Sequence, residues 1–218
     1  MPADSAVPAV PVVPADSAVP AMPVVPVGFA AAEGALALLR ASGAAGVAHP
    51  GGTLLAHLQR VRDRLAAWGA RPALCLAGLS HAFYGTDGFP TALLAPTRRA
   101  ELAAVIGQEA EAIVYLYASC DRAATYPALA RPDGAFHDRF TGRSHTPGPR
   151  LRRDFAELSA ANELDIADVD PAFRERWGPE LLALFTGFRA LLGEAAWRDC
   201  RAVLAGPEEG GARRGGGA

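Results

Sequence analysis

Residues 53–68 read TLLAHLQRVRDRLAAW. Leu54, Leu58, Val61, Leu65 and Trp68 recur at spacings of 4, 3, 4 and 3, the rhythm that gathers apolar side chains on one stripe of an α-helix. Thr53 stands where an N-cap belongs and Gly69 where the helix must stop. His57, three residues after Leu54 and four before Val61, falls on the same stripe. This helix carries an imidazole into the core, where an unpaired polar group costs roughly 2–7 kcal/mol.

The next segment, PALCLAGLSHAF (72–83), opens on a proline in its tolerated first-turn position. From Ala73 to Leu79 it contains only alanine, leucine, cysteine and glycine, and His81 follows four residues after Ala77. Further on, QEAEAIVYLYASCDR (108–122) turns Ala110, Ile113, Val114 and Tyr117 inward, and Asp121 continues that face four residues beyond Tyr117. Helices are also predicted over 29–42, closed by Gly43, over 97–107, and in RRDFAELSAANELD, GPELLALFTGFRALLG and EAAWRDCRAVL. The stretch 123–149, rich in Pro, Gly, Asp and Thr, reads as a long irregular loop. A chain that is 50% hydrophobic but only 7% aromatic favours helix packed on helix over a sheet. The expectation is an all-α bundle.

The ends read differently. Residues 3–14 and 15–26 are a tandem repeat, ADSAVPAVPVVP and ADSAVPAMPVVP, whose frequent prolines remove donors and fix φ. We expect a disordered leader over 1–27, a helical domain over 28–205 and a flexible Gly-rich tail over 206–218.

Composition excludes several classes. The 21 basic residues, all arginine, face 23 acidic ones, and without a basic stripe a phosphate-driven nucleic-acid surface is not expected. Cys75, Cys120 and Cys200 are odd in number and far apart, which argues against a disulfide framework or a zinc knuckle and for a reducing cytoplasm. No apolar run reaches the roughly 18–20 residues of a membrane span, and Asp4 and Asp16 stand where a signal peptide would be positive. A soluble cytoplasmic protein with a small-molecule partner, neither nucleic acid nor membrane, is the expectation.

His57, His81 and Asp121 thus form a set of two imidazoles and a carboxylate aimed at one core. They satisfy one another as a hydrogen-bonded cluster, or they share a divalent metal; nitrogen plus carboxylate oxygen suits Zn, Fe, Mn or Ni. His49, in the turn AHPGGT, either folds back to join them or stays in solvent. Tyr84 and Thr86 place hydroxyls after His81, where they orient a bound water or substrate or simply end the helix. Arg122 receives an anionic group bidentately or forms an ion pair. His137 and His145 read as solvated loop residues, Asn162 as a helix-end residue, and Cys75 and Cys120 as packed thiols.

The segments HPGGTLLAHLQRVRDRLAAWG, CLAGLSHAFYGT, IGQEAEAIVYLYASCDR and RFTG resemble the bacterial domain family DUF6817. That family is in turn similar to the HD-domain metal-dependent phosphohydrolases and to inositol oxygenase-like helical enzymes. The resemblance implies an HD-domain-like helical bundle in which His57 matches the early histidine of the site, His81 the histidine of the His-Asp pair, and Asp121 the late aspartate. Ala82 replaces the aspartate of the pair, which points to a mononuclear centre, with His49 as a further ligand.

On that basis the first reading is a metal-dependent hydrolase of phosphoester type, with Arg122 and Tyr84 as catalytic residues and a divalent ion as cofactor. An iron-dependent oxygenase on the same scaffold is the second. The third is a catalytically degenerate ligand-binding or partner module, with Ala82 as its mark.

Overall fold

A computed structural model describes residues 27–205; the expected leader up to residue 26 and the tail over 206–218 lie outside the described residues. Among the described residues there are nine α-helices and two short antiparallel hairpins, so the all-α expectation holds. No described helix is long and apolar enough to cross a membrane.

The N-terminal half is built from α1 (Val27–Ala41), α2 (Leu54–Ala67), α3 (Pro72–Ser80), α4 (Arg99–Ile106) and α5 (Gln108–Ser119). Between α1 and α2, β1 (Ala48–His49) pairs with β2 (Gly52–Thr53). The periodic stripe of α2 behaves as its spacing predicts: Leu54, His57, Leu58, Val61 and Leu65 are all buried, and the Thr53 hydroxyl accepts from the Ala56 amide. At the centre lies α3, packed on α1, α2 and α5. Burial of Leu74, Leu76, Ala77, Gly78 and Leu79 on every side explains its unbroken apolar run. Gly78 lets α2 approach closely, since a Cβ there would stand 2.5 Å from Leu65 Cδ1.

The C-terminal half contains α6 (Arg122–Thr125), a hairpin of β3 (Phe136–Asp138) and β4 (Arg143–His145), then α7 (Pro149–Val169), α8 (Pro171–Gly187) and α9 (Glu194–Leu204). The long α7 spans the bundle, packing on α2, α3 and α5 with one side and on α8 and α9 with the other.

Two expectations are corrected. The stretch 123–149 is not irregular throughout; it holds α6 and the β3–β4 hairpin, whose turn is fixed by Asp138 Oδ1 accepting from the Phe140 and Thr141 amides. The helix predicted to run to residue 122 ends at Ser119, because Cys120 turns extended and bridges to Asp138 while the Asp121 amide donates to the His137 carbonyl. A four-residue step from Tyr117 therefore does not lead to Asp121 along one helix face.

Candidate functional site

A cavity of about 330 Å³ opens among α2, α3 and α7. His57 reaches it from the buried stripe of α2, His81 from the C-cap of α3, Asn162 and Glu163 from α7, Arg122 from the start of α6, and His49 from β1. The imidazoles of His57 and His81 are edge to face with centroids 5.3 Å apart, and His49 stacks on His57 at 4.0 Å.

Hydrogen-bond partners fix which ring atoms carry protons. His57 Nδ1 lies 2.6 Å from Asp165 Oδ2, and the same carboxylate accepts from Arg60 Nε at 2.7 Å and Arg60 Nη2 at 2.9 Å. Burial alone would raise the Asp165 pKa, but the hydrogen bonds from His57 and Arg60 outweigh it and hold the carboxyl below its ordinary range. An ionised carboxylate only accepts, so His57 Nδ1 is the donor. His81 Nδ1 is likewise fixed as a donor, 2.8 Å from the Gly78 carbonyl, which leaves Nε2 of a neutral His81 as a bare lone pair. Burial, with the repulsion a neighbouring imidazolium at His57 would add, lowers the His81 pKa to about 3, and the same two causes lower that of His49 to about 4. Both rings are neutral near pH 7.

The other side of His57 is less comfortable. Asn162 Nδ2 donates to Glu163 Oε1 at 3.2 Å, a carboxylate that also accepts from Arg122 Nη1 at 3.1 Å. The amide orientation is thereby set, and Asn162 Oδ1 faces His57 Nε2 at 3.1 Å. With Nδ1 already carrying a proton, a neutral His57 presents a lone pair to a lone pair. Positive charge resolves that contact in one of two ways: a second proton on His57, or a cation shared by nitrogen and oxygen. His49 Nδ1 adds a buried polar atom with no hydrogen-bond partner at the same place.

Of the residues singled out from sequence, the structure brings together His49, His57, His81 and Arg122. Asp121 is not with them: it is the N-cap of α6, its Oδ1 accepting from the Ala124 amide, since α5 has already ended. Nor is Tyr84: its hydroxyl donates to Glu111 Oε1 at 3.0 Å, in a cluster closed by two bonds from Arg99. Thr86 lines the cavity, but its hydroxyl accepts from the Phe89 amide and shapes the turn. His137 stays on the hairpin, 2.8 Å from the Ser144 hydroxyl.

Sequence reading missed Asn162, Glu163, Asp165 and Arg60. A signal for two of them existed: Leu158, Asn162 and Asp165 stand at spacings of 4 and 3, the same test that singled out His57. The carboxylate partner of the histidines thus comes from α7 and acts behind His57.

Among the described residues no group of three or more His, Cys, Asp and Glu side chains is placed to hold a metal ion. His57 Nε2 and the amide oxygen of Asn162 do face each other, and His81 lines the same cavity. The 3.1 Å between these two atoms is a hydrogen-bond distance, and it would equally let nitrogen and oxygen hold one cation together. A carboxylate behind one histidine and a backbone carbonyl behind the other is the usual support of metal-ligating imidazoles. Ala82, on the cavity wall, leaves room where the resemblance would put a further carboxylate.

Residues 38–122 match the model of the family described as Domain of unknown function (DUF6817). The matched stretch carries His49, His57, His81 and Arg122 but ends before α7, which supplies Asn162, Glu163 and Asp165. No curated protein and no solved structure matches the chain.

Proposed function

We propose that the cavity is the active site of a metal-dependent hydrolase acting on a small anionic ester of phosphoester type, with one divalent ion held by His57, His81 and Asn162. The observation that carries this reading is the facing pair His57 Nε2 and Asn162 Oδ1, two acceptors 3.1 Å apart, with His81, its Nδ1 committed to the Gly78 carbonyl, on the wall of the same cavity. Such an ion supplies Lewis acidity, polarising an ester oxygen and lowering the pKa of water.

The chain's own residues do the rest. Asp165, anchored by Arg60, holds the His57 ring so that Nε2 faces Asn162 Oδ1. Gly78 holds the His81 ring through its carbonyl. Arg122, steadied by Glu163 and the Tyr117 hydroxyl, places a permanent positive charge on the wall, where it binds the anionic group and offsets charge that develops as the ester is attacked. Leu54, Phe89 and Ile166 keep the remaining surface apolar and limit water. The free thiols of Cys75, Cys120 and Cys200 accord with a cytoplasmic setting.

Elemental analysis of the freshly purified protein tests the reading. About one equivalent of divalent metal is expected, falling below a tenth in His57→Ala and in His81→Ala. Wild-type protein that stays metal-free, and whose melting temperature does not move on adding Mn²⁺, Zn²⁺ or Fe²⁺, overturns it. The second proton on His57 then becomes the answer to the same contact, and the cavity becomes an anion-binding module.

A further inference from the structure

Beside the histidine cavity lies a second chamber of about 250 Å³, walled by Tyr126, Phe173, Trp177, Leu181, Leu184 and Phe185. Arg122, Glu163 and Phe173 line both chambers. The Arg122–Glu163 ion pair therefore stands at the border of the two, with the imidazoles on one side and, on the other, a chamber whose further polar side chains are Ser159 and Glu180.

Trp177, at the edge of the apolar side, is 42% exposed, one of only three large hydrophobic side chains so placed among the described residues. The helix that carries it, α8, is otherwise exposed over most of its length. An arginine fixed at the junction, with aromatic and leucine side chains beyond it, suits a ligand that is charged at one end and apolar at the other. The histidine cavity alone, at about 330 Å³, is within the range of small-molecule sites, about 300–1,000 Å³, and the second chamber adjoins it.

We infer that the substrate is an amphipathic monoester: its anionic group sits at Arg122 beside His57 and His81, and its apolar alcohol portion fills the chamber of Phe173, Trp177, Leu181, Leu184 and Phe185. This rests on the hydrolase reading and adds the substrate class to it. Charge alone would select any small phosphate; the apolar chamber adds selection by chain length.

The test is binding of methyl, butyl and octyl phosphate to the full chain, followed by tryptophan fluorescence, with Trp177→Phe as the control that removes the signal from this chamber. Each methylene that leaves water for the chamber is worth about fourfold in affinity. Butyl phosphate should bind at least tenfold tighter than methyl phosphate, with the gain levelling off before octyl. Leu181→Gln and Leu184→Gln, both half-buried, should flatten that series toward the methyl value while the melting temperature changes little. Equal affinity across the three esters overturns the inference, as does a chain-length gain that survives in both glutamine variants. The hydrolase reading is judged separately, by metal content and by turnover of methyl phosphate. If none of the three esters binds, the anionic end is misplaced and the inference falls with it.

Discussion

Two buried carboxylates in this molecule are wired in opposite ways. Glu111 takes the Tyr84 hydroxyl at 3.0 Å and both arms of the Arg99 fork at 2.7 Å, and Arg99 lies over the Tyr115 ring at 3.7 Å. Every polar group there has a complementary partner, and the cluster lines none of the cavities described above. Asp165 is just as well bonded, but the histidine it holds passes the problem on: His57 Nε2 meets another acceptor at 3.1 Å beside an open space. Buried charge that closes on itself ties helices together, whereas buried charge that leaves an unmatched lone pair facing a cavity prepares a place for something else. Variants that cut each wire test whether that contrast is real.

Asp165→Ala should have the largest effect. It strands a buried imidazole and the inner end of Arg60, and breaking a buried pair by removing one partner costs about 3–5 kcal/mol; the lower end applies because a third of the Arg60 side chain reaches water. The His57 ring also loses the contact that aims it. Chemical denaturation should show the loss in stability, and metal titration should show an affinity reduced at least tenfold. A variant that is destabilised yet keeps full metal affinity would mean that Asp165 only ties α2 to α7, like Glu111 elsewhere.

Tyr84→Phe belongs to the closed cluster and should behave in the opposite way. Burial, with the neighbouring Glu111 charge, pushes the Tyr84 hydroxyl pKa well up, so it remains a donor throughout the working pH range. Removing it deletes one bond to a carboxylate that keeps two others, a loss of about 1 kcal/mol. Metal content and turnover should stay at the wild-type level. A drop in turnover with unchanged stability would return Tyr84 to the catalytic role its place after His81 suggests.

What the sequence made legible follows from what is local. The stripe of α2, the proline opening α3 and the span of α9 depend on neighbours a few residues away, and they stand as read. The Asp121 placement depended on α5 continuing past Ser119, and α5 stops because Cys120 pairs with Asp138, eighteen positions later in the chain. No periodicity within 108–122 announces that bridge. Asn162 and Asp165 were missed for a different reason. The sequence predicts a helix that finishes at Asp165, which makes Asn162 an end residue, whereas α7 runs on to Val169 and buries both Asn162 and Asp165.

Asp121→Ala gives the smallest effect and tests the contrast from outside both clusters. The side chain caps a helix of only four residues by accepting from the Ala124 amide at 3.0 Å. Loss of a cap costs about 0.5–2 kcal/mol, and so short and partly exposed a helix should fall at the bottom of that range. Arg122, the first residue of α6, is held independently by Glu163 and Tyr117 through its side chain and by Asp87 through its backbone amide. It should keep its position when the cap is gone, so metal content stays at the wild-type level and methyl phosphate binding weakens less than threefold. If Asp121→Ala instead empties the protein of metal as His57→Ala does, the carboxylate of the site is Asp121 after all. The geometry drawn from α7 would then have to give way.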